Sequence, residues 1–332
     1  MLNCLKKIFS IFLIFNLTFV SSAQAAATFD DINGDGSGFD VSTQGSSPKG
    51  IAFNNDGTKM FVSDGSDDEI NVYTLSTGFD LSTATFNNIN GDGSGFDVST
   101  QASSPVGITF NNDGTKMYLV DNSGDSDDVN EYTLSVGFDL TSTVNFVDTN
   151  GDGTGFSVQT QEHLPQDIAF NNDGTKMFII GTTGDEVNIY TLSTGFDLST
   201  ASFNNINGDG SGFDISGQEA AAMGIAFNND GTKMFISGTA GDDVNAYTLS
   251  TGFDLTSTVT FVDSFDISGQ DTNPRTMTFN NTGTKMFVVS SADEDINSYS
   301  LSCAFKVTSS GKCEDPPKIK DVRGIVDAQI NT

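Results

Sequence analysis

Four stretches of the 332-residue chain place oxygen-bearing side chains at alternate positions and then an Asp-Gly pair. Asp31-Ile32-Asn33-Gly34-Asp35-Gly36-Ser37 and Asp148-Thr149-Asn150-Gly151-Asp152-Gly153-Thr154 fit the opening of a calcium loop, Asp-x-Asn-x-Asp-Gly. Two further copies begin with Asn: Asn88, Asn90, Asp92 and Ser94, then Asn205, Asn207, Asp209 and Ser211. The chemistry asked of such a stretch is the convergence of hard oxygens on one Ca2+, with Gly allowing the sharp turn. The bidentate Glu expected at the twelfth position is replaced by Ser42, Ser99, Gln159 or Ser216. Binding is therefore expected to be weak, roughly 10⁻⁴–10⁻³ M, with Asp40, Asp97 and Asp214 as the nearby carboxylates that a fuller site would recruit. The rival reading is a plain Gly-Asp turn.

Other chemistry is sparse. The single histidine, His163, has no companions in Gln161-Glu162-His163-Leu164-Pro165 from which to build a metal cluster or a nucleophilic triad. Cys303 and Cys313 close a short C-terminal loop if they pair, as they are expected to in an oxidising compartment.

The elements that position these residues come from a repeat. Phe-Asn-Asn-Asp-Gly-Thr-Lys-Met-Phe starts at Phe53, Phe170 and Phe227, and near-copies start at Phe110 and Phe279, at intervals of 57, 60, 57 and 52 residues. Each unit holds four apolar runs bounded by Gly, Asp, Asn or Ser, as in Gly50–Phe53, Lys59–Val62, Ile70–Leu75 and Ala84–Phe86. These are strand signals, and the Asp-Gly pair between the first two is a tight-hairpin signal. The spacing predicts an all-β fold, a β-propeller of five four-stranded blades. Thr28-Phe29 matches Thr85-Phe86, so the N-terminal strand is expected to complete the last blade and close the ring; an open solenoid is the rival. The repeated Phe79, Phe138, Phe196 and Phe253 are expected to be core.

Blade geometry sorts the loops onto two faces. The turns with Lys59, Lys116, Lys176, Lys233 and Lys285 share one face, and acidic turns such as Asp67-Asp68-Glu69 share the other. Just before each inner strand stands a residue that differs between blades: Lys49, Val106, Gln166, Met223 and Arg275. Of these Lys49, Gln166 and Arg275 are the candidates to contact a polar ligand on the axis.

Residues 1–25 read as a secretory signal peptide: Lys6 and Lys7, an apolar run from Ile8 to Val20, then Ala23-Gln24-Ala25. The expected domains are thus a signal peptide (1–25), the propeller (26–302) and a tail (303–332). The expected place is the periplasm, cell surface or medium. Its 14 basic against 44 acidic residues disfavour nucleic acid and anionic membrane surfaces as partners, and suit divalent cations.

The Phe-Asn-Asn-Asp-Gly-Thr-Lys-Met-Phe unit, followed by Val-Asn-x-Tyr-Thr-Leu-Ser-Thr-Gly-Phe-Asp-Leu, resembles repeats of exported β-propeller proteins of marine bacteria. More broadly it is similar to the YncE-like and WD-repeat propellers. The resemblance covers about residues 28–302 and implies the fold. Some relatives are passengers ahead of an autotransporter barrel, and Asp321–Gln329 looks like the segment that leads into it. The expected function is a non-catalytic, monomeric binding or display module whose partner is a glycan, a peptide or a surface. The alternatives are a hydrolase or lactonase-type enzyme with a metal in the axial channel, and a truncated autotransporter passenger. The enzyme needs inward-facing acids from several blades.

Overall fold

The computed structural model describes residues 27–124, 127–149, 151–308 and 313. The expected signal peptide, Asn150 and the segment 314–332 lie outside these described residues. Five antiparallel sheets are arranged around an axis, and each is one blade. The inner strands are Pro48–Phe53, Pro105–Phe110, Pro165–Phe170, Ala222–Phe227 and Pro274–Phe279. The second strands are Lys59–Asp64, Lys116–Asp121, Lys176–Gly181, Lys233–Gly238 and Lys285–Ser290. The third are Glu69–Leu75, Asp128–Leu134, Glu186–Leu192, Asp243–Leu249 and Asp295–Leu301.

The outer edge is built in two pieces. In the first blade Ala84–Phe86 pairs with the end of the third strand, and Phe96–Asp97 pairs with its beginning. The Gly-Asp-Gly loop is therefore an excursion from one interrupted edge strand, out on the rim. In the fourth blade, which lacks the loop motif, the edge is one continuous strand, Val259–Asp266. The fifth blade takes its edge from the N-terminus, with Ala27 opposite Leu301, Phe29 opposite Tyr299 and Phe39 opposite Ile296. The ring is closed, as the repeat predicts.

Second strands are buried on both faces because each is sandwiched between blades, which is why they read as unbroken apolar runs such as Met60-Phe61-Val62. Each seam between blades is packed by an aromatic triad. Phe61 meets Phe110 at 4.7 Å, and Phe110 meets Phe138 at 5.1 Å. The closing seam repeats this with Phe287, Phe53 and Phe79. The seam between the fourth and fifth blades uses Phe235, Phe279 and Phe305. The packing thus runs past Leu301: Phe305 fills the triad, and Val307 accepts a hydrogen bond from the Ala27 amide at 3.3 Å. Beside this segment Cys303 is joined to Cys313, with their Cα atoms 5.5 Å apart.

A belt of asparagines encircles the hairpin-turn mouth of the axis. Asn55 Nδ2 donates to the Asn112 carbonyl at 2.8 Å, Asn112 to Asn172 at 2.8 Å, Asn172 to Asn229 at 2.8 Å and Asn229 to Asn281 at 2.9 Å. Asn281 donates back to Asn55, so the belt has no free end. Four of the lysines on this face act as struts. Lys59, Lys116, Lys176 and Lys233 each reach across the seam to the carbonyl of Phe138, Phe196, Phe253 or Phe305. In each case the ammonium satisfies a turn carbonyl of the neighbouring blade.

Candidate functional site

The four calcium-type loops sit on the rims of four different blades, exposed. Their oxygens serve the loops' own amides. Asp31 Oδ1 accepts from Gly34 and Gly36 at 2.7 and 3.1 Å, and Asp35 Oδ1 accepts from the Ser37 amide and hydroxyl at 3.0 and 2.7 Å. Asn33 turns its Nδ2 to the Gly38 carbonyl at 2.8 Å. Asn88 with Asp92, Asp148 with Asp152, and Asn205 with Asp209 repeat these contacts. Asn90 and Asn207 likewise donate to Gly95 and Gly212, and also approach Ser94 and Ser211. Bonding to the following Ser or Thr lowers the carboxylate pKa of Asp35, Asp92, Asp152 and Asp209. Asp40, Asp97 and Asp214 bond the amides of Ser42, Ser99 and Ser216. The acid that backs each loop is a different one, on the third strand: Asp295 holds the Gly38 amide at 2.8 Å, and Glu69 that of Gly95 at 2.7 Å. Among the described residues no three of His, Cys, Asp and Glu are grouped as metal ligands. His163 lies 3.8 Å from Asp127.

The axial mouth on the acidic face is more distinctive, and a β-bulge makes it. The register of the inner strand slips between Pro48 and Gly50, between Pro165 and Asp167, and between Ala222 and Gly224. The slipped residues are Lys49, Gln166 and Met223, and a wider slip frees Arg275 and Thr276. A bulge re-aims a side chain that regular pairing would fix on one face.

Two of the predicted contacts are brought together. Lys49 Nζ and Arg275 Nε approach the same Ser291 Oγ, at 3.5 and 3.2 Å, and Arg275 NH1 points at Met223 Sδ at 3.3 Å. Burial, reinforced by the charge of Arg275, brings the Lys49 ammonium down to about 8. The third candidate, Gln166, is not aimed with them; its amide lies 3.4 Å from the Leu164 carbonyl. Val106 packs into the core between the second and third blades.

Along the axis, toward the asparagine belt, lies a cavity of about 230 Å³ lined by inner-strand residues such as Ile51, Ile108, Ile168, Ile225 and Met277 and bordered by Asn229 and Asn281 of the belt. Of the five inner strands one carries a carboxylate, Asp167. It stands where three other blades have Gly50, Gly107 and Gly224, and where the fifth has Thr276. Asp167 is buried, its Oδ2 accepts the Ile225 amide at 2.9 Å, and burial pushes its pKa up to about 8. Thr276 plays the same part at the closing seam, accepting from the Ile51 amide and donating to the Lys49 carbonyl, both at 3.1 Å. In the first and fourth blades a second-strand hydroxyl takes over: Ser63 donates to Val106, and Ser237 to Arg275, at their backbone oxygens.

A further set of acids was not legible as a set from the sequence. Each blade buries one carboxylate under the loop that enters its inner strand: Asp64, Asp121, Glu162, Glu219 and Asp271. Asp64 accepts from the Ser47 and Ser66 amides at 2.9 and 2.8 Å, and Glu219 from those of Ala221 and Ala240 at 2.8 and 3.1 Å. The carboxylate arrives from either of two positions. Where the second strand ends in Asp64 or Asp121, the loop position is Gly45 or Ala102. Where it ends in Gly181 or Gly238, the loop position is Glu162 or Glu219. A Cβ on Gly45 would collide with Asp64, and one on Gly238 with Glu219, so each site has room for one acid.

No known family profile matches the chain, and no curated protein does. Several solved structures superpose on the chain, each loosely. A functionally unknown protein from Desulfotomaculum acetoxidans superposes with a TM-score of 0.39 at 13% identity, over 73% of this chain and 62% of that one. A provisional 6-phosphogluconolactonase from Bacteroides uniformis gives 0.43 at 13% identity, over 75% and 65%. A luciferin-regenerating enzyme gives 0.47 at 10% identity, over 83% and 95%. The chain thus spans under two thirds of the length of the first two. These likenesses concern the fold alone.

Proposed function

We propose that the chain is an exported, non-catalytic propeller of the kind found in marine bacteria, a monomer that binds a glycan, peptide or surface partner at its axial mouth. One observation carries this reading: a bulge at the entrance of the inner strand places different side chains at one position of an otherwise repeated ring. Elsewhere the ring repeats its aromatic triads and its asparagine belt, and four of the five blades repeat the lysine strut. Broken symmetry at the axis is what a single ligand requires, since one molecule cannot satisfy five equal walls. The hydrolase alternative requires several convergent acids, and the inner strands supply Asp167, which already holds the Ile225 amide.

The test is a glycan and peptide array probed with the chain and with a Lys49→Ala/Gln166→Ala/Arg275→Ala variant. Binding that the triple variant loses supports the reading. Binding that it keeps in full moves the partner elsewhere. Hydrolysis of a lactone or glycoside that Asp167→Asn abolishes would replace the reading with an enzymatic one.

Calcium in the rim loops is a second part of the proposal, resting on the Asp-x-Asn-x-Asp-Gly spacing and on Asp295 and Glu69 behind the loops. Calorimetric melts with millimolar calcium and with chelator test it. An occupied site raises the melting temperature by mass action, and superimposable melts overturn it.

A further inference from the structure

The mouth described above contains an electrostatic anomaly. The chain carries 44 acidic residues against 14 basic ones, yet two of its cations share one half-buried spot. Lys49 and Arg275 come from adjacent blades, the first and the fifth, and meet on Ser291 Oγ. Among the described residues neither has a carboxylate within ion-pair distance; Asp64 acts on Lys49 and Asp271 on Arg275 only from farther off, and each of these acids is already engaged by its own loop. Ser291 itself donates to the Pro48 carbonyl, so its hydroxyl serves as the common acceptor for both cations. One hydroxyl uses a small part of what an ammonium and a guanidinium offer, eight N–H donors between them by their chemistry. Like charges held together in a partly dry site raise the free energy of the empty protein, and an anion relieves it.

The surroundings narrow the anion. Met223 is nearly buried against the guanidinium and gives the site an apolar wall. The turns on the same face carry Asp67, Asp68, Glu69, Asp293 and Glu294, a negative collar that repels polyanions. A small, singly charged group with an apolar body fits both constraints. We propose that Lys49 and Arg275 bind the carboxylate of a small organic acid, with Met223 against its apolar part. This names the ligand class of the axial-mouth binding proposed above and rests on that reading. Two short charge-assisted hydrogen bonds, one to each carboxylate oxygen, supply the recognition.

The experiment titrates the full mature chain, carrying 13C-methyl methionine, with sodium hexanoate and follows the Met223 methyl signal by NMR. The remaining methionine methyls report whether each variant is folded. The expected result is a saturable Met223 shift that weakens at least tenfold in Lys49→Gln and in Arg275→Gln, and that falls as sodium chloride is raised. No shift with hexanoate, or wild-type affinity retained in either variant, overturns the proposal. Displacement of hexanoate by equimolar sulfate also overturns it, by showing a general anion sink. A neutral oligosaccharide titration separates the two readings. If it shifts Met223 while hexanoate does not, axial binding stands and the carboxylate assignment falls. If neither probe shifts Met223, both fall.

Discussion

The ring of Phe79 occupies the space that a side chain on Gly57 would need. Gly57 has φ +72°, and a Cβ there would lie inside van der Waals contact with three atoms of the Phe79 ring. Phe79 is itself held at φ +60°, a conformation that a bulky residue adopts only under constraint. The same pairing joins Gly114 to Phe138, Gly174 to Phe196, Gly231 to Phe253 and Gly283 to Phe305. Gly57→Ala is therefore expected to cost about 3 kcal/mol, combining backbone strain with displacement of the ring. Gly36→Ala, at φ +86° with open space around it, meets the strain alone and is expected to cost about 1 kcal/mol. Denaturant melts of the two variants check the difference; equal costs would count against the aromatic lock.

The buried-acid position permits a compensated exchange. Glu219→Gly leaves the Ala221 and Ala240 amides without their acceptor and is expected to cost about 2 kcal/mol. Gly238→Asp alone forces a second acid against Glu219 and is destabilising as well. The double variant recreates the Gly45–Asp64 arrangement of the first blade and is expected to recover most of the loss. A double-mutant cycle measures the coupling, and additive costs would contradict the exchange.

Asp167 gives stability a pH dependence of known sign. Its folded pKa is raised to about 8 against 3.8 for an unperturbed Asp, so the native state binds a proton that the unfolded chain releases. The stability contribution is fully present below pH 4 and is lost as pH rises through 8. Asp167→Asn keeps an acceptor for the Ile225 amide and removes the titration. The variant is expected to gain on the wild type by on the order of 3 kcal/mol between pH 4 and pH 7. A pH series of denaturant midpoints tests this, and a constant gap between the two proteins would refute it.

The closing seam differs from the other four. Lys285 does not brace a turn carbonyl like the other strut lysines; it pairs at 3.5 Å with Asp30 on the N-terminal strand segment. Asp30→Asn together with Asn281→Ala removes that pair and one link of the asparagine belt. The expected effect is faster amide exchange in residues 27–29 and 299–301, with the seam between the second and third blades unchanged. Uniform acceleration around the ring would show that the closing seam is not separately stabilised.

The fold was legible because the near-identical hairpin string set the period and the matching Thr-Phe pairs revealed the closure. Phe305 was harder: Cys303-Ala304 replaces the usual Thr-Gly before it, and its role shows only in the triad with Phe235 and Phe279. The strut role of the lysines was not legible, because a charged residue in a turn gives no sign that a carbonyl across the seam awaits it. Lys49 and Arg275 stood out as departures at a repeated position, but their meeting on Ser291 depends on a register slip that no single-residue pattern encodes. Asp167 carried a signal that could have been used, an acid where sister blades have Gly. The exchange between Glu219 and Asp64 required knowing that residues 45 and 64 face each other, a pairing across two strands.

The edge strand that closes the ring has a twin. Ala27-Thr28-Phe29 repeats Ala84-Thr85-Phe86 residue for residue, and each Phe meets its Tyr edge-on at 5.7 Å. During synthesis the first of these emerges long before Asp295–Leu301 exists, and the third strand of the first blade is the earliest surface that accepts it. Local recognition cannot tell the two berths apart; only the lack of any other edge for the fifth blade does. A chain still seated on its own first blade leaves its fifth open, ready to receive the same tripeptide from another copy. Self-similarity that makes the ring easy to specify thus also makes exchange between nascent molecules the characteristic way for it to misassemble.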